Sequence, residues 1–118
     1  MPGRNAMNAS SRQVNGITVV DMSGRITLGE GGVVLRETIH DLLDKGDKKI
    51  LLNLGDISYI DSSGIGELIG AFTSVRKQGG DLKLLNLTKK VKDLLQITKL
   101  YTVFDIKDDE ATAIGAFN

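Results

Sequence analysis

The run Ile50-Leu51-Leu52, continued by Asn53-Leu54, constrains this chain more than any other segment. A strand turns successive side chains to opposite faces. Consecutive aliphatic residues therefore need cover on both faces, as in a parallel or mixed sheet enclosed by other elements. Lys49 to Leu54 is accordingly predicted as the central strand, with Ile57 to Ile60 leading on from it. The core is expected to include Ile50, Leu52, Leu68, Phe72, Leu84 and Leu94.

The flanking segments supply the cover. Asn15-Gly16, between Gln13-Val14 and Ile17 to Met22, is a strong hairpin signal and predicts two antiparallel strands. Ser23-Gly24-Arg25 reads as a turn, with Ile26 and Leu28 a short continuation. Gly29-Glu30-Gly31-Gly32 reads as a flexible connection, followed by a helical stripe of Leu35, Ile39, Leu42 and Leu43 that ends at Lys45-Gly46. A second helix carries Ile65, Leu68, Ile69, Phe72 and Val75 on one face and stops at Gly79-Gly80. Leu82 to Leu85 is a further strand. Thr88 caps a helix with Val91, Leu94 and Leu95 on its apolar side. Val103 to Ile106 is the last predicted strand, and Asp108-Asp109-Glu110 opens a final helix ending near Phe117. Alternation of this kind predicts an α/β fold with a mixed sheet and crossover helices. Residues 1–11, polar and small, read as a flexible N-terminal tail, and residues 12–118 as one domain.

Several function classes are disfavoured. Lys plus Arg number 15 and Asp plus Glu number 15, so net charge favours neither nucleic acid nor an anionic membrane. The chain has no cysteine, which removes disulfides, thiolate catalysis and cysteine-based metal sites. Met1 to Ser11 lacks an apolar signal core, and no apolar run approaches the roughly 18 residues of a membrane helix. A cytoplasmic protein is the simplest expectation. Lys45, Lys48 and Lys49, and Lys89, Lys90 and Lys92, form short basic patches without an aromatic platform and read as solvated faces.

The most informative local motif is Asp61-Ser62-Ser63-Gly64-Ile65-Gly66, between the central strand and the second helix. It sets two hydroxyls at a helix N-terminus, where unpaired N–H groups and a partial positive charge suit an anion. Capping by Asp61, Ser62 or Ser63 is the simplest use of these residues. Two glycines in a first helical turn, however, suggest close approach of something to the backbone. A hydrolase elbow needs glycine two residues before the serine, and Ile60 stands there. His40, the only histidine, lies off the centre of its helix's apolar stripe, so no general base is indicated. The phosphate-binding and dinucleotide glycine motifs also fail: the first lacks Lys-Ser/Thr, and the second has Ile69 where a third glycine is needed. One histidine and a few helix-capping acids give no metal-ligand spacing. The site reads as a switch, with no enzyme activity, cofactor or metal expected.

Leu52-Asn53-Leu54 through Ser62-Ser63-Gly64-Ile65-Gly66, followed by Gly79-Gly80-Asp81-Leu82, resembles the STAS family, and in particular bacterial anti-sigma factor antagonists. The resemblance runs from about Val14 to Phe117. It implies a sheet of four to five strands with about four helices packed mainly on one side. It further implies binding to an anti-sigma factor that is also a serine kinase, with release of a sigma factor. Phosphorylation of the serine after the aspartate, here Ser62, would end binding, and a serine phosphatase would restore it. Asp61, Ser62, Ser63, Gly64, Gly29 and Gly31 are the partner-binding residues on this reading, with Asp61 orienting the hydroxyl. Direct nucleic-acid and membrane partners are not implied. An alternative within the family is an unphosphorylated scaffold or accessory subunit of lipid-transport or stressosome type. A nucleotide-binding enzyme has only the glycine loops in its favour.

Overall fold

A computed structural model describes residues 7–117. The elements are β1 (Asn8–Val14), β2 (Ile17–Ile26), α1 (Glu30–Asp44), β3 (Lys49–Ile60), α2 (Ser62–Lys77), β4 (Asp81–Leu85), α3 (Lys89–Ile97), β5 (Ile106–Lys107) and α4 (Glu110–Gly115). The five strands lie in chain order across one sheet. β1 and β2 are antiparallel, and all later neighbours are parallel. The expected mixed α/β sheet with four helices is present.

This strand order explains the layering. Each crossover from β2 to β5 moves one strand in the same direction, and right-handed crossovers then place their helices on one face. Residues of α1, α2 and α3 accordingly share one apolar cluster with Val20, Ile50, Leu52, Leu54, Leu82 and Leu84. Odd-numbered neighbours such as Val19, Leu51 and Leu85 point the other way, into a smaller cluster closed by Ala113 of α4 and Phe117. The central strand thus has cover on both faces. Of the expected core, Ile50, Leu52, Leu68 and Leu84 are fully buried, while Phe72 and Leu94 are partly buried against it.

The hairpin forms at Asn15 and Gly16, with φ of 52° and 80°, the left-handed pair that a two-residue turn needs. Four local expectations are corrected. Residues 8–11, expected in the tail, pair with β2 from Asn8 opposite Ser23, and Met7 is buried; positions 1–6 lie outside the described residues. Ser23 to Arg25 is no turn but part of β2, which continues beside a longer β3 through two register shifts. Gly24, at φ 108°, accommodates the irregularity. Gly29 to Gly32 is not an open connection, because α1 begins at Glu30 and buries Gly31 and Gly32. Val103 to Ile106 is not the last strand either. Val103 is exposed, Phe104 is a buried loop anchor set edge-on to Phe72 with centroids 5.4 Å apart, and only Ile106–Lys107 aligns with β4.

Candidate functional site at the start of α2

Asp61 organises this end of the molecule. It follows β3 in an extended conformation and is the N-cap of α2. One carboxylate oxygen accepts from the Gly64 N–H at 2.8 Å. The other accepts from the Leu28 N–H at 3.3 Å. The Asp61 N–H donates to the Ile26 carbonyl at 3.3 Å. Three pieces of chain meet on one residue: the end of β2, the loop before α1 and the first turn of α2.

The glycines divide into two kinds. A Cβ on Gly64 would collide with the Ile26 carbonyl, and one on Gly31 with the Arg25 carbonyl. Both helices therefore press their first turns onto the last two residues of β2. The close approach expected from the sequence exists at Gly64, but the approaching group is the protein's own strand. Gly66 has nothing within 4 Å of its missing side chain. Gly29 is likewise open, and its φ of 98° favours glycine for conformation alone.

All six expected partner residues lie at this one end, but they present different things. Ser62, Ser63 and Gly29 are exposed, Asp61 is half-buried, and Gly31 and Gly64 are buried seats for the helices. Leu28, read from sequence as strand, instead lies on the loop beside Asp61 with 82% of its surface exposed. Its exposure follows from the end of β2 at Ile26, a boundary that the sequence does not mark. An Arg36–Glu67 ion pair at 2.9 Å clasps α1 to α2 just behind the site. The hydrogen bond that Arg36 donates to Glu67 raises the Arg36 pKa above its ordinary value.

The chemistry available to Ser62 is limited. Asp61 directs both carboxylate oxygens to backbone N–H groups, so it fixes the backbone on which the hydroxyl stands instead of activating it. His40 is exposed on α1, 3.4 Å from Asp44. With Asp41 these two form an exposed trio whose ligand atoms lie within 4.8 Å, a grouping that the spacing rules overlooked. All three belong to one solvated helical face. What Ser62 does have is an accessible position at a helix N-terminus, where the partial positive charge suits a negative group. No helix among the described residues is long and apolar enough to cross a membrane.

Comparison with known proteins follows this geometry. The chain is 39% identical over 101 residues to a Bacillus subtilis protein named anti-sigma-B factor antagonist, covering 85% of this chain and 90% of that one. Its fold matches an anti-sigma factor antagonist from Mycobacterium paratuberculosis with a TM-score of 0.84 at 16% identity, covering 99% and 98% of the two chains. It also matches the phosphorylated form of the Bacillus cell fate determinant SpoIIAA, with a TM-score of 0.70 at 22% identity over 92% and 97%. The STAS domain profile fits residues 8–113, and the chain belongs to that family.

Proposed function

We propose that this chain is an anti-sigma factor antagonist, which binds an anti-sigma factor through the surface around Ser62 and so frees a sigma factor. The observation that carries this reading is the exposed Ser62 as first residue of α2, beside a cap that ties the helix to the Leu28 loop, in a chain whose relatives bear that name. The partner is an anti-sigma factor with serine kinase activity in the cytoplasm. It phosphorylates Ser62, and a serine phosphatase reverses the change.

Physical reasoning supports a switch that acts without refolding. A phosphate adds about −1.5 to −2 charges at neutral pH. The N-terminus of α2 stabilises that charge locally. Within a docked interface the same charge is unpaired and desolvated, at a cost on the order of 2–5 kcal/mol. That weakens binding by about thirtyfold to several thousandfold, since about 1.4 kcal/mol is tenfold.

Titration calorimetry against the anti-sigma factor of the same cell tests the proposal. Ser62→Ala should bind like the unmodified protein and resist inactivation by ATP. Ser62→Asp should melt normally and bind at least about thirtyfold more weakly. Equal binding of the two variants would remove the switch and leave the scaffold alternative. Asp61→Ala is a poor probe, because loss of its two backbone bonds destabilises the fold as well as the surface.

A further inference from the structure

Three of the described arginines are held in ion pairs: Arg12 with Asp21 and Glu110, Arg36 with Glu67, and Arg76 with Asp81. Arg25 differs. Its guanidinium carbon lies 5.0 Å from the centroid of the Tyr59 ring, and no carboxylate among the described residues pairs with it. The Lys90 ammonium stands 5.8 Å from the same ring, also without an ion-pair partner among those residues, whereas neighbouring Lys89 pairs with Asp93.

The three residues come from three elements. Arg25 and Tyr59 are paired positions of β2 and β3. Lys90 belongs to the first turn of α3, which meets β3 where the Thr88 hydroxyl donates to the Ile57 carbonyl at 3.3 Å. The fold thus converges two cations on one half-exposed aromatic ring. A stacked guanidinium is held in place while its N–H donors stay free for a planar carboxylate. Two cations on one ring, neither paired with a carboxylate among the described residues, make a positive patch that attracts an incoming carboxylate.

The location gives the cluster a use. Tyr59 precedes Ser62 by three residues, and the residue after Arg25 accepts the Asp61 N–H. We infer that Arg25, Tyr59 and Lys90 extend the Ser62 surface and receive an acidic segment of the anti-sigma factor. This inference rests on the function proposed above. It adds the sign of the partner's complementary patch: neutral Ser62 and Leu28 meet one part of the partner, and the cations meet carboxylates beside it.

The test is calorimetric titration with the anti-sigma factor of the same cell, at low and high salt. The double variant Arg25→Glu, Lys90→Glu should bind at least about tenfold more weakly in dilute buffer. The deficit should shrink at roughly 1 M salt, where the Debye length is near 3 Å. Tyr59→Ala should weaken binding by releasing the guanidinium, and Tyr59→Phe should restore it. Lys45→Glu, Lys48→Glu, at the other end of the sheet, is the charge control and should bind normally. Thermal melting of each variant checks that the fold is kept. Normal binding by the Arg25, Lys90 variant, with Ser62→Asp still defective, would overturn this inference and leave the antagonist reading intact. A wild-type chain that does not bind the anti-sigma factor would overturn both.

Discussion

The two faces of the sheet are built on different principles. The inner face, under α1, α2 and α3, is a continuous aliphatic layer with partly buried Phe72 and Leu94 at its margin. The outer face carries a single six-residue helix, α4, over a cluster of six buried residues. Around that cluster the contacts are charged. Arg12 bridges Asp21 at 2.7 Å and Glu110 at 2.6 Å, joining β1, β2 and α4. Asn53 donates to Asp21 from β3 at 2.8 Å. Lys83, only 7% exposed, lies against Phe117 and pairs with Asp105 at 2.7 Å and Asp81 at 3.2 Å. Burial alone would lower the Lys83 pKa, but the hydrogen bonds to Asp105 and Asp81 outweigh it and raise the value. The inner face is held by non-directional burial, and the outer face by directional pairs that respond to pH and salt.

The sharpest test of this contrast is a pair of adjacent leucines. Leu52 faces inward and Leu51 outward, and both are fully buried. Leu52→Ala should cost about 4 kcal/mol, near the upper part of the range for such truncations, because three helices fix the walls of the cavity. Leu51→Ala should cost about 2–3 kcal/mol, since a six-residue helix settles into the space more easily. Denaturant unfolding measures both, and the reverse order would break the comparison.

Acid should act next, and on one face first. Hydrogen bonds from Arg12 lower the pKa of Asp21 and of Glu110, one from Lys83 lowers that of Asp105, and the Thr112 N–H lowers that of Asp109. Their unfolded values are about 3.9 for Asp and 4.3 for Glu. The stability they supply is complete above those values and is lost as pH falls through the lower folded ones. Hydrogen exchange on moving from neutral pH to about pH 3 should therefore deprotect α4 and β1 before α2 and β3. Simultaneous loss on both faces would contradict the division.

The smallest effect is expected from one cap. Asp109 accepts from the Thr112 N–H at 2.9 Å and from its hydroxyl at 3.0 Å. Asp109→Ala should raise amide exchange within α4 and leave α1 and α2 unchanged. Exchange that rises throughout the molecule would mean that α4 is part of the main cooperative unit.

What the sequence discloses follows the same contrast. Ile50-Leu51-Leu52 reveals the central strand because consecutive apolar residues demand two covered faces. Asn15-Gly16 reveals the hairpin because both residues tolerate left-handed backbone. The first half of β1 is hidden, since Asn8, Ser10 and Ser11 are exposed on an edge strand and owe their place to backbone pairing with β2. The start of α1 is hidden because glycine's poor helix propensity masks the reason for Gly31, a carbonyl on a different element. At the site, Asp61 and Ser62 are legible from their position before a helical stripe. Leu28 and the Arg25–Tyr59–Lys90 cluster are not, since they depend on how far β2 and β3 extend and where α3 docks.

The seating of Gly31 and Gly64 on β2 also governs how such a domain can diversify. At both positions the obstructing atoms include backbone carbonyls, so no second substitution elsewhere trims the obstacle away. Those two positions are closed to drift under any regime that keeps this architecture. Gly66, with open space around it, and exposed Leu28 and Ser63 carry no such restriction. A lineage can therefore vary the outer rim of this end while inheriting the joint beneath it unchanged.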